Sequence, residues 1–205
     1  MPPTNRPARP LADEVMLHAA AATGGRTAVW RIELSRALAG AVLIDLSLAG
    51  RIAMRPDRVT VVRPGPTGDP VQDEAQRRLA HGRRTASPET WVGRLAPPVL
   101  VGVQERLVDR GLLVPDSGHG VLSRSPLLLP KGTPRPSPHT STATAVRSLL
   151  RAALPRWISG FPQSPGPAQN HTFPSPDSPQ DTVALACSAV SASVRAAAHA
   201  LMCGY

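Results

Sequence analysis

The sequence predicts a mainly α fold: a single helical domain with small β-hairpins. Three observations carry this. Apolar residues recur at helical spacing, glycine and proline stand where helices should stop and start, and the short alternating stretches come in pairs around turn residues. The chain has 205 residues, 41% of them apolar and only 3% aromatic, so its core must be built from Leu, Val, Ile and Ala.

Residues 1–10 read as a disordered leader. Leu11 to Ala22 forms the first helix, with Asp13 and Glu14 in its first turn, where they suit the dipole, and Gly24-Gly25 ready to cap it. A longer helix spans 28–49. Its Trp30, Leu34, Ala37, Ala41, Ile44 and Leu48 form one apolar stripe, and Gly50 ends it. Residues 51–55 and 59–63 read as two short strands around Pro56-Asp57. A polar helix follows near 71–81, then another opened by Ser87-Pro88-Glu89, with serine as N-cap and proline at the first helical position. Pro97-Pro98 is expected to start a further helix ending at Gly111, with Leu100, Val103 and Leu107 facing inward. Residues 112–114 and 121–123 then flank a glycine-rich tip as a second hairpin.

Proline divides the chain. Half of the 24 prolines fall within 126–179, and charge thins over the same boundary. Residues 11–125 are therefore read as the core, and 126–205 as a proline-rich, divergent C-terminal part. That part has loose connectors over 126–140 and 155–180 and helices near 141–154 and 181–202.

The net charge of +9 favours polyanionic partners, either nucleic acid or an anionic membrane surface. All but one of the basic residues are arginine, as in a GC-rich bacterial genome. Two cysteines make no disulfide framework, which points to a reducing cytoplasm. The opening residues lack the apolar run of a secretory signal, and the apolar stretch 37–49 is too short to span a bilayer. Catalytic patterns are thin. The six histidines are scattered, no glycine loop cradles phosphate, and Asp73 and Glu74 are helix neighbours that point apart. Neither an enzyme nor a cofactor is expected. Arg77-Arg78 and Arg83-Arg84 form a local basic cluster, read as a solvated loop.

Three stretches, in register, resemble the Golgi phosphoprotein 3 family of peripheral membrane proteins. The first runs from Trp30 through Gly40-Ala41-Val42-Leu43-Ile44-Asp45-Leu46-Ser47-Leu48-Ala49-Gly50-Arg51-Ile52. The second is Pro66-Thr67-Gly68-Asp69 with Asp73-Glu74-Ala75, and the third is Glu89-Thr90-Trp91 leading to Glu105-Arg106-Leu107 and Gly111-Leu112-Leu113. The resemblance implies a helical domain without catalysis that binds phosphatidylinositol 4-phosphate at a shallow pocket. It also implies a hairpin near 112–124 through which copies self-associate into a homo-oligomer. The family's pocket combines a tryptophan with three basic residues. Here Trp30 fits the tryptophan, while the basic positions read Ala39, Val101 and Gln104.

The reading is thus a cytoplasmic adaptor that attaches peripherally to anionic phospholipid headgroups through Trp30, Arg36, Arg106 and Arg110. Two rivals stand beside it. One is a winged-helix DNA-binding regulator, suggested by helix 98–110 and its hairpin, with nucleic acid the less favoured partner. The other is a protein-interaction module that has lost lipid binding.

Overall fold

The computed structural model describes residues 9–22, 31–82, 86–115, 128–130, 140–153 and 179–202. They form helices α1 (Leu11–Ala22), α2 (Arg31–Leu48), α3 (Pro70–His81), α4 (Pro88–Asp109), α5 (Thr140–Ala153) and α6 (Pro179–Met202). The strands are β1 (Ile52–Met54), β2 (Val59–Val61), β3 (Leu113–Pro115) and β4 (Leu128–Pro130). The mainly helical class expected from the sequence is what the chain adopts. The leader, Gly24-Gly25, Trp30, Arg83-Arg84, the tip of the second hairpin and most of both proline-rich connectors lie outside the described residues.

The architecture is organised around α2, of whose eighteen residues eleven are buried. The single stripe read from the sequence understates this. Ala39, Gly40, Val42 and Leu43 lie off the stripe and are buried, whereas Leu48 lies on it and is 54% exposed. The reason is that α2 packs against α1, α4, α5 and α6, so nearly its whole circumference faces protein. A Cβ on Gly40 would stand 2.6 Å from Val190 Cγ2 and 3.2 Å from Leu149 Cδ2, so glycine sets how closely α6 and α5 approach. The helices read in the C-terminal part therefore belong to the same core, through Leu149, Ala186 and Val190.

The two helices expected on either side of Pro97-Pro98 are one continuous α4, with both prolines inside it. Each proline lacks the N–H that would bond four residues back, a loss of about 3 kcal/mol in an unsupported helix. Leu95, Ala96, Val99 and Leu100 around them are all buried. Burying one large aliphatic side chain contributes about 1.5–3 kcal/mol, so packing offsets the broken ladder. The N-cap behaves as read: Ser87 Oγ accepts from Thr90 N at 3.3 Å. Gly50, at φ 64°, takes the left-handed turn that ends α2, where a Cβ is strained.

The first hairpin pairs β1 with β2 antiparallel, Ile52 opposite Val61 and Met54 opposite Val59. In the second hairpin β3 pairs with β4, Leu113 opposite Pro130 and Pro115 opposite Leu128. The sequence placed the returning strand at 121–123, which lies outside the described residues. Prolines end both β3 and β4, a position where the missing donor costs a two-stranded ladder little.

Candidate functional site

Val99, Val103, Arg106 and Leu107 share the buried face of α4, so an arginine stands on an apolar stripe and must find partners. It finds two. Arg106 Nε donates to Asp13 Oδ1 on α1 at 3.0 Å, and a second guanidinium nitrogen, Nη2, donates to the same oxygen. Nη1 donates to both carboxylate oxygens of Asp69 at 2.5 Å. Arg110, one turn on, donates to Asp13 Oδ2 at 3.0 Å. Arg106 is 7% exposed in its side chain and Asp13 not at all, while Arg110 is half exposed.

Asp69 also caps α3, its Oδ1 accepting from Val71 N at 2.8 Å and Gln72 N at 3.2 Å, with Pro70 in the first turn. One guanidinium thus joins α4 to the starts of α1 and α3. A third carboxyl belongs to the same region. Asp45 of α2 accepts from Leu11 N at 2.9 Å and satisfies the first free donor of α1. Burial pushes the Asp45 carboxyl up to about 7, against the pull of that N–H, with Asp69 and Asp13 adding to the rise. Below about pH 7 Asp45 is mostly protonated, which spares the buried cluster a further negative charge. Asp13 is also raised by burial, while Arg106 and Arg110 draw it back. Glu14, buried beside it, pairs with Arg9 at 3.2 Å.

A groove of about 490 Å³ opens between α3 and α4 next to this cluster. Buried Val71, Ala75, Leu95 and Val99 line it. Its charges are mixed: Arg78 and Arg110 stand with Glu74, Glu105 and Asp109. Arg78 is itself bound to Glu74 at 2.6 Å. The groove therefore has an apolar floor and no excess of positive charge.

The residues expected to bind lipid are distributed as follows. Arg106 and Arg110 are brought together, Arg106 facing inward and Arg110 at the groove. Arg36 is elsewhere: its Nε donates to Ser193 Oγ of α6 at 2.9 Å and its Nη1 to Ile32 O at 3.3 Å. Burial draws the Arg36 pKa down, with Glu33 pulling the other way. Ser193 Oγ also lies 3.5 Å from where a Cβ of Gly93 would be. Gly93 is thirteen residues before Arg106 along α4, roughly 20 Å of helix. Trp30 lies outside the described residues. Of the three positions that the resemblance sets against basic pocket residues, Ala39 is fully buried, Val101 is 44% exposed and Gln104 is half-buried.

Sequence reasoning missed Asp13, Asp45 and Asp69 as one constellation with Arg106. Two local signals were available: a charged residue on a buried stripe, for Arg106, and Asp-Pro before a helix, for Asp69. Among the described residues no group of three or more His, Cys, Asp or Glu is placed to hold a metal ion. Cys187 is half-buried, and burial pushes its thiol up to about 11, so it stays protonated. Among the described residues no helix is long and apolar enough to cross a membrane. In comparison with protein families, the sequence model of Golgi phosphoprotein 3 (GPP34) matches residues 11–201.

Proposed function

This chain belongs to the Golgi phosphoprotein 3 (GPP34) family, and from that premise we propose that it is a non-enzymatic adaptor that attaches reversibly, from the side, to membranes bearing anionic phospholipid. The observation that carries the reading is the extent of the family match, nearly the whole chain. The net charge of +9 supports it, since each cation near an anionic surface adds about 1 kcal/mol of attraction.

The finer reading, a phosphatidylinositol 4-phosphate headgroup, follows from the family resemblance. The three pocket positions without a cation here weaken it as a selective interaction. Three lost headgroup contacts at about 1 kcal/mol each correspond to roughly a hundredfold in affinity. General attraction to anionic lipid depends on surface charge and does not need that pocket. The DNA-binding alternative gains no support from α4, whose C-terminal half exposes Val101, Glu105 and Asp109. Carboxylates there would meet phosphates with like charge.

Sedimentation with vesicles at low salt tests the proposal. The protein is expected to pellet with phosphatidylcholine vesicles that contain phosphatidylserine and to stay in the supernatant with phosphatidylcholine alone. Phosphatidylinositol 4-phosphate at matched charge is expected to add little. Equal sedimentation with neutral and anionic vesicles rejects the membrane role.

A further inference from the structure

The β1–β2 hairpin has two unlike faces. In an antiparallel pair, opposite residues share a face and successive residues alternate. Ile52, Met54 and Val59 are buried against the core. The outward face therefore carries the other pairs. Arg55 and Arg58 exchange backbone hydrogen bonds, Arg55 N to Arg58 O at 2.8 Å and Arg58 N to Arg55 O at 3.2 Å. Ala53 stands opposite Thr60. At the base, Val62 N bonds to Arg51 O at 2.8 Å.

Arg55 and Arg58 are both exposed, and they stand directly across from one another, an arrangement that repels. The acidic residue of the turn, Asp57, is itself 71% exposed and only reaches Arg58 at 4.0 Å. Arg55 has no carboxylate partner among the described residues. Arg63 follows, also exposed, and Val62 beside it is 57% exposed. Residues 51–63 hold four arginines and one aspartate. Such a face is short of negative charge and carries an aliphatic side chain in water.

We propose that this outward face, led by Arg55 and Arg58 and flanked by Val62, is the surface by which the chain lies on an anionic bilayer, an assignment that rests on the membrane reading above. Phosphates between the two guanidiniums relieve their repulsion and accept charge-assisted hydrogen bonds. Val62 enters the headgroup layer, where exposed aliphatic area is removed from water. The face is open, so it fits a lipid surface better than a small anion. Beside its arginines the face has no Asn, Gln or aromatic side chain, and its exposed Val62 suits a lipid headgroup layer better than a nucleic acid.

The test compares the full chain with Arg55→Gln/Arg58→Gln, and with Arg77→Gln/Arg195→Gln as a control of equal charge on other exposed surfaces. All are sedimented with phosphatidylcholine vesicles with and without phosphatidylserine, and circular dichroism checks that each is folded. The hairpin variant is expected to lose roughly thirty-fold in partition and the control no more than about threefold. The single Arg58→Gln protein, with one hairpin pair member kept, is expected to fall between and covers a misfolded double variant. If the wild type binds anionic vesicles and the folded hairpin variants bind as well as it does, the assignment of the face is overturned and the membrane reading stands. If the wild type binds none, both fall. A hairpin variant that loses affinity for duplex DNA while its vesicle partition is unchanged also overturns the lipid assignment.

Discussion

Arg106 and Arg55 are the same residue type and do opposite things. Arg106 is enclosed, with its donors on Asp13 and Asp69, and it fastens α4 to the starts of α1 and α3. Arg55 is in water, facing Arg58 across a two-residue turn. The first is bound internally and the second is available. A net charge of +9 counts both equally, so the total says that the chain attracts anions without saying where. The difference teaches that placing the binding face requires knowing which cations the fold has already used.

The largest expected effect breaks the first half of the contrast. Arg106→Ala leaves fully buried Asp13 with only the half-exposed Arg110 and takes the guanidinium from half-buried Asp69, and urea unfolding is expected to show a loss of about 3–5 kcal/mol. Asp45→Asn keeps an acceptor for Leu11 N and removes the carboxyl pushed up to about 7. In the wild type that group is ionised in the unfolded chain but protonated in the folded one between about pH 4 and pH 7. Its effect is therefore that stability falls as pH rises through this window and levels off above it. The variant is expected to lack that slope and, above pH 7, to exceed the wild type by roughly 2–4 kcal/mol in denaturation curves taken across pH. Gly40→Ala pushes a methyl into Val190 and is expected to lower stability by about 1–3 kcal/mol, read as a lower thermal midpoint. The smallest effect sharpens the second half. Arg55→Gln/Arg58→Gln removes a repulsive pair and is expected to change unfolding free energy by less than about 0.5 kcal/mol.

Much of the fold is legible in the sequence wherever the signal is local. The bounds of α1, the Ser87 cap with Pro88, the Gly50 stop and the first hairpin around Pro56-Asp57 each depend on a few neighbouring residues. What escapes is set by distant partners. Two prolines in a row look like a helix start until Leu95 and Val99 are seen buried on either side of them. The stripe of α2 looks one-sided until α5 and α6, which begin 92 and 131 residues after α2 ends, close the other side. The partner of Arg106 escapes because Asp13 is 93 positions away, and that of Arg36 because Ser193 is 157 away. Asp13, meanwhile, reads as a helix-dipole residue, which is true of its position and misses its partner. Of the expected lipid contacts, Arg110 is the member that keeps half its side chain in solvent while joined to the cluster.

The most direct measurement puts Arg106→Gln and Arg55→Gln/Arg58→Gln through the same two assays, urea unfolding and partition onto phosphatidylserine-containing vesicles at low salt. The predicted result is a crossed pattern: the α4 variant loses stability by several kcal/mol, whereas the hairpin variant keeps its stability and loses partition. A hairpin variant that partitions like the wild type, together with an α4 variant as stable as the wild type, contradicts the division of the arginines into internal fasteners and an outward docking face.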